Sequence, residues 1–236
     1  MKFVNHSRIS VPVLFVAIAV LFTGCVSAPK QPAPPPVAHN FAKWEKEISA
    51  YEQSDRTNPL PKGAILFTGS STIRLWKTLA ADFPGHAVIN RGFGGSEIID
   101  AAHFADRIIV PYAPSMVVLR AGGNDLWAGK TPEQVFADFK VFAKTVHAKL
   151  PAAKIVFISL SPSIARWSQA AKEKTLNEMV KKYIRGKSYL AYLETYDLPL
   201  GPDGNPRPEL FVQDKLHFSA EGYKLVAERV RRELRL

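Results

Sequence analysis

The chain has 236 residues, a formal net charge of +10 and an apolar fraction of 47%. That length suits one domain with an appendage, and the apolar share is ordinary for a globular protein with a sizeable core. A single cysteine, Cys25, excludes an intramolecular disulfide, and the scattered basic excess lacks the stripe or binding motif of a nucleic-acid reader. The one local basic cluster, Arg229, Arg231, Arg232 and Arg235, reads as a solvated helix face.

Residues 1–24 read as an export signal. Lys2 and Arg8 give a positive start with no acid, and Val11 to Phe22 is an apolar run too short for a comfortable membrane span. Leu21-Phe22-Thr23-Gly24-Cys25 follows. Small residues before a cysteine at the end of such a run resemble a bacterial lipoprotein processing site, which implies that Cys25 becomes the lipidated first residue. An ordinary signal peptide and an uncleaved anchor are the alternatives. Residues 25–40 then read as a tether: five prolines between residues 27 and 40 favour an extended, semi-rigid spacer without a core. Residue 26 is Val rather than Asp, which by the same resemblance implies an outer-membrane protein facing the periplasm. The remaining charge of +8 also suits a surface near anionic lipid or wall polymer.

Residues 41–236 read as one domain. Phe41 to Gln53 predicts a helix with Phe41, Trp44, Ile48 and Tyr51 on one face. Strands are expected at Ala64 to Thr68, Ala87 to Asn90, Ser115 to Arg120, Lys154 to Ser159 and Tyr189 to Leu193. Helices are expected between them at Ile73 to Asp82, Ser96 to Phe104, Thr131 to Leu150 and Ser168 to Arg185. The third of these is the clearest: Pro132 sits in its first turn, and Val135, Phe136, Phe139, Phe142 and Val146 have helical spacing. Ser219 is placed to cap a last helix that tolerates Gly222 in its first turn. Continuous apolar strands separated by helices indicate a mostly parallel sheet of about five strands covered on both faces, a three-layer α/β/α domain of flavodoxin-like outline.

Three of the strands run into polar blocks: Phe67-Thr68-Gly69-Ser70-Ser71, Asn90-Arg91-Gly92-Phe93-Gly94-Gly95 and Gly122-Gly123-Asn124-Asp125. A fourth block, Asp214-Lys215-Leu216-His217, precedes the last helix. The carboxyl ends of parallel strands open on one crevice, so residues far apart in sequence converge there. Taken together they supply a nucleophile, oxyanion donors, a base and a carboxylate that orients the base. A serine hydroxyl needs such a base, and His217, three residues after Asp214, is the candidate. Taken singly, Ser71 reads as a helix cap, Asp214 and His217 as a surface pair, Asn124-Asp125 as a turn, and the glycines as loop positions of positive φ.

The set resembles the SGNH hydrolases, also called the GDSL esterase/lipase family, over roughly residues 63 to 222. The family's Gly-Asp-Ser reads Gly69-Ser70-Ser71 here, so Ser70 stands where the family has Asp. The resemblance implies Ser71 as nucleophile, His217 as base and Asp214 as its partner. It implies an oxyanion hole from the backbone N–H groups of Ser71 and Gly95 and the side-chain amide of Asn124, with Asp125 bracing the loop. It implies a serine esterase acting on a short-chain ester, an acetylated sugar or wall polymer, or a lipid. The absence of a long apolar insertion that would form a lid favours short acyl groups. An acyl transferase on an envelope polysaccharide or peptidoglycan, and a non-catalytic envelope-binding lipoprotein, are the rival readings.

His86, His103 and His147 lie outside every block and read as surface or edge residues, while His6 and His39 fall in the leader and tether. Arg120, Trp127, Arg166 and Trp167 flank the expected crevice without an assigned role. No cofactor or metal is expected: the glycine run from Gly92 has Glu97 where a dinucleotide fingerprint needs its last glycine, and P-loop, His-Glu-x-x-His and paired-cysteine motifs are absent. The Gly-x-Ser-x-Gly elbow of α/β-hydrolases is absent too.

Overall fold

A computed structural model describes residues 1–3 and 39–236. Cys25, and all but the ends of the expected leader and tether, lie outside the described residues. Residues Asn40–Leu236 make one contact unit.

A 3₁₀ turn at Phe41–Trp44 leads into α1 (Glu45–Thr57), followed by β1 (Ile65–Gly69). The helix expected at Ile73 to Asp82 is two short ones, α2 (Ser71–Arg74) and α3 (Leu79–Asp82). The break accommodates Trp76, which is buried against Phe67 and Phe83 and donates its indole N–H to Asp82. Next come β2 (Val88–Gly92), α4 (Ile98–His103), α5 (Ala105–Ile108) and β3 (Met116–Arg120). The helix α6 (Gly123–Trp127) occupies the third polar block, whose Asn124-Asp125 taken singly reads as a turn. The chain continues through α7 (Pro132–Lys149), β4 (Lys154–Ile158), α8 (Ala170–Ile184), β5 (Leu190–Leu193) and α9 (Ala220–Leu234). Thr131 and Gln134 cap α7 reciprocally, and Ser219 caps α9 by accepting from the Gly222 N–H.

All strand pairs are parallel, in the order β2-β1-β3-β4-β5. This is the flavodoxin-like order, with its topological switch between β1 and β3. Alternation along each strand divides the core in two. Leu66, Val117, Leu119, Ile155 and Phe157 face the layer holding Ile48, Phe139, Phe142 and Leu176. Ile65, Phe67, Val118, Val156 and Ile158 face the layer holding Trp76, Tyr223, Val226 and Val230. Successive strand side chains point to opposite faces, so a sheet covered on both sides must be apolar at every position. The basic cluster of α9 is partly spent on packing: Arg229 donates to the Glu194 carbonyl and pairs with Asp197, and Arg231 donates to the Asp82 carbonyl.

Two contacts set the geometry at the switch. Gly69 has φ of +125°, and a Cβ there would lie 2.1 Å from the Arg120 carbonyl oxygen. Asp125 is fully buried and accepts from the Ile98 N–H, so it ties α6 to the start of α4. Burial, opposed by that N–H and helped by nearby Glu97, pushes its carboxyl up to about 7.

Gly69→Ala is expected to lower unfolding free energy by about 3 kcal/mol or more, from left-handed strain and backbone overlap together, read as a shift in urea midpoint. Folded Asp125 holds its proton to about pH 7 and the unfolded side chain loses it near 3.8. The folded state therefore binds the extra proton between these values, and stability falls as pH rises through that window. Asp125→Asn removes this dependence, worth on the order of 4 kcal/mol for about three pH units. Urea titrations at both ends of the window check it, and identical pH slopes in wild type and variant would refute it.

Candidate active site

Strand β1 delivers Ser71 to the switch point. Ser70 is the extended N-cap of α2, its N–H donates to the Arg120 carbonyl at 3.1 Å, and its carbonyl accepts from Ile73 and Arg74. The Ser70 side chain makes no capping bond, so backbone bonds brace this turn and residue 70 need not be Asp for it. From the far side, Asn90 donates to the Ile73 carbonyl at 2.6 Å and Tyr223 donates to the Thr72 carbonyl at 2.9 Å. Nothing in the sequence pattern singled out Tyr223; its position on the apolar face of α9 was its only signal.

The fourth block folds against this turn. Ser71 Oγ lies 2.8 Å from His217 Nε2, and His217 Nδ1 lies 2.6 Å from Asp214 Oδ2. The second oxygen of Asp214 accepts from the backbone N–H groups of Leu216 and His217, both at 2.9 Å. Slight burial raises the Asp214 pKa, but bonds from the His217 ring and from those two N–H groups outweigh it and hold it at about 2. A carboxylate ionised at all ordinary pH fixes the imidazole with Nδ1 protonated and Nε2 free to accept from serine. The tight turn places Lys215 at φ of +58°, and Ala165 holds it by donating to the Lys215 carbonyl.

Asn124 sits in the first turn of α6 with both ends of its amide fixed. Its Nδ2 donates to the Ser96 carbonyl at 2.9 Å, and its Oδ1 accepts from Arg166 at 2.9 Å. An amide nitrogen carries two hydrogens, so one remains for the cleft that Asn124 lines together with Ser71 and His217. Gly95 is not part of the cleft lining. It adjoins Ser96, the residue bound to Asn124, and has φ of +75°, which satisfies the loop reading of that glycine as well. Ser96 Oγ donates to the Gly69 and Phe93 carbonyls, which binds this loop to the end of β1.

Of the four residues expected to flank the crevice, Arg120 and Arg166 line it, and Trp127 and Trp167 do not. Arg120 is buried and donates to the Ser159 carbonyl, Thr195 Oγ1 and Ser161 Oγ, joining the ends of β3, β4 and β5. Burial lowers its guanidinium to about 10. Arg166 lies over the Trp127 ring at 5.1 Å. Gln169 and Glu173 also line the cleft, and burial raises Glu173 to about 7 against its bond from Gln169. Sequence reasoning missed these two because Gln169 is the N-cap of α8 and Glu173 lies in its first turn, where polar residues read as solvent-facing. His103 stacks on Phe41 and His147 on Tyr189, and neither lines the cleft. No cluster of metal-ligating side chains occurs among the described residues.

The same architecture occurs in several solved structures. A Streptococcus pneumoniae protein named as a platelet activating factor is 18% identical, with 82% of this chain and 94% of that chain covered at a TM-score of 0.72. A GDSL-like lipase from Bacteroides thetaiotaomicron is 19% identical, with 83% and 97% covered at 0.64. An acetyl-xylooligosaccharide esterase from Geobacillus, solved as a point mutant, is 15% identical, with 75% and 96% covered at 0.60. At these identities the likeness is one of fold. No curated protein sequence matches the chain. The sequence profile of the GDSL-like lipase/acylhydrolase family matches residues 63–225. The chain therefore belongs to the GDSL-like lipase/acylhydrolase family of carboxylic ester hydrolases.

Proposed function

We propose that this chain hydrolyses short-acyl carboxylic esters through an acyl-enzyme on Ser71. The observation that carries the reading is the unbroken line Ser71 Oγ, His217, Asp214, with bonds of 2.8 and 2.6 Å. Ser71 Oγ attacks the ester carbonyl carbon while His217 Nε2 takes its proton. The carbonyl electrons move onto oxygen, where the Ser71 N–H group and the second Asn124 amide hydrogen, both at the cleft, stabilise them. Collapse breaks the bond to the alcohol, whose oxygen receives the proton from His217. Water then attacks the acyl carbon as His217 takes one of its protons, and collapse breaks the bond to Ser71 Oγ, which regains its proton from His217 as the acid is released.

The cleft supports a small acyl group. Its cavity volume is about 60 Å³, room for a few waters or an acetyl-sized fragment rather than a long chain. The fold neighbour described as an acetyl-xylooligosaccharide esterase is consistent with acetyl as the acyl group. Cys25, as the lipid-bearing residue of an envelope lipoprotein with residues 25–40 as tether, is part of the same proposal and rests on the sequence. No helix among the described residues is long and apolar enough to cross a membrane.

Hydrolysis of p-nitrophenyl esters by residues 40–236 is expected to be fastest with acetate and to fall steeply by octanoate. Ser71→Ala is expected to lower kcat by about 10⁴-fold or more with the fold intact, and Asn124→Ala by about 10² to 10³-fold. Comparable turnover from a folded Ser71→Ala protein would remove the assignment.

A further inference from the structure

Two arginines line the cleft, and their bonds go to different places. Arg120 joins the ends of β3, β4 and β5. Arg166 instead donates through Nη1 to Asn124 Oδ1 at 2.9 Å and to the Gly123 carbonyl at 3.3 Å.

An amide has nearly the same shape either way round, so its partners decide which end faces where. A guanidinium has donors only, and a carbonyl only accepts. Asn124 Oδ1 therefore stays on Arg166 and Nδ2 on the Ser96 carbonyl, at 2.9 Å each. Turned over, the amide would set its N–H groups against a cation and its oxygen against a carbonyl. In the orientation observed, the second hydrogen of Nδ2 is the one left for the cleft. A cation on the amide oxygen also draws electron density from the nitrogen and makes its N–H a stronger donor.

The backbone of α6 has other supports. Gln169 also donates to the Gly123 carbonyl at 3.3 Å, Asp125 accepts from the Ile98 N–H, and the Leu126 and Ala128 N–H groups donate to the Gly122 and Asn124 carbonyls. Arg166 is itself held from several sides. Its carbonyl accepts from the Gln169 N–H, and its guanidinium lies over the Trp127 ring at 5.1 Å. The preceding Ala165 donates to the Lys215 carbonyl, inside the turn that carries Asp214 and His217. One short segment is thus fixed to the turn of the base and to the amide of the oxyanion hole. We propose that Arg166 is a positioning residue, which keeps the Asn124 amide nitrogen toward the cleft and acts on the reaction through that amide alone. This rests on the esterase reading and adds a residue to its oxyanion hole.

The test is a double-mutant cycle on p-nitrophenyl acetate hydrolysis, with kcat and KM measured for wild type, Arg166→Met, Asn124→Ala and the protein carrying both changes. Arg166→Met is expected to lower kcat about tenfold or more with KM within about twofold, since a misoriented donor loses part of what a deleted one loses. In the Asn124→Ala background the same change is expected to move kcat by less than about twofold, because the amide it orients is gone. Arg166→Lys, which keeps a charged donor, is expected to fall between wild type and Arg166→Met, and it runs through the same cycle if Arg166→Met does not fold. A full kcat loss in both backgrounds, a change confined to KM, or wild-type kcat in Arg166→Met overturns the proposal. Turnover that depends on Ser71 and Asn124 but not on Arg166 leaves the esterase reading standing. No turnover by the wild type, or turnover that survives Ser71→Ala, overturns both.

Discussion

The end of β1 lies against the end of β3 at a separation that only glycine permits, and the site depends on that approach. With Gly69 pressed to the Arg120 carbonyl, the next N–H reaches the same oxygen, and the chain turns directly into α2 with Ser71 as its first residue. A side chain at position 69 would push the turn away from β3. The Ser71 hydroxyl would then lose its register with His217, which arrives independently from the loop before α9. The switch point of a parallel sheet is a geometric consequence of strand order; what this sequence adds is a glycine that lets the two strand ends close up.

Around this contact the protein concentrates polar groups that would destabilise a core elsewhere. Arg120, Asp125 and Glu173 are buried, and burial shifts all three toward their neutral forms. Each also does positioning work: Arg120 joins three strand ends, Asp125 ties α6 to α4, and Glu173 fixes Gln169. By contrast Asp214 is 49% exposed, and the bonds from the His217 ring and two backbone N–H groups keep it ionised. The stable charge that orients the base is at the edge, while the strained charges form the floor and wall.

Much of this was legible in the sequence, for physical reasons. Continuous apolar runs such as Ala64 to Thr68 and Lys154 to Ser159 are the imprint of strands covered on both faces, so all five strands were visible. The polar blocks at their ends marked where Ser71, Asn124, Asp214 and His217 would meet. The family profile over residues 63–225 agrees with the resemblance those blocks suggested. What periodicity could not show were features set by tertiary packing. Trp76 splits the helix expected at Ile73 to Asp82, and α6 is a five-residue helix packed against α7 and α8. Glu173 and Gln169 were unreadable for the same reason. On a helix, a buried carboxylate and a solvated one have the same local pattern, and only the opposite wall tells them apart.

The account stands on Ser71 being a nucleophile activated by His217. The most direct measurement is intact-protein mass spectrometry after treatment with a fluorophosphonate, followed by peptide mapping, in wild type and folded His217→Ala. The account predicts one adduct per chain, located on Ser71, forming rapidly in the wild type and at a small fraction of that rate in the variant. No adduct, an adduct on another serine, or equal labelling rates in the two proteins would contradict it.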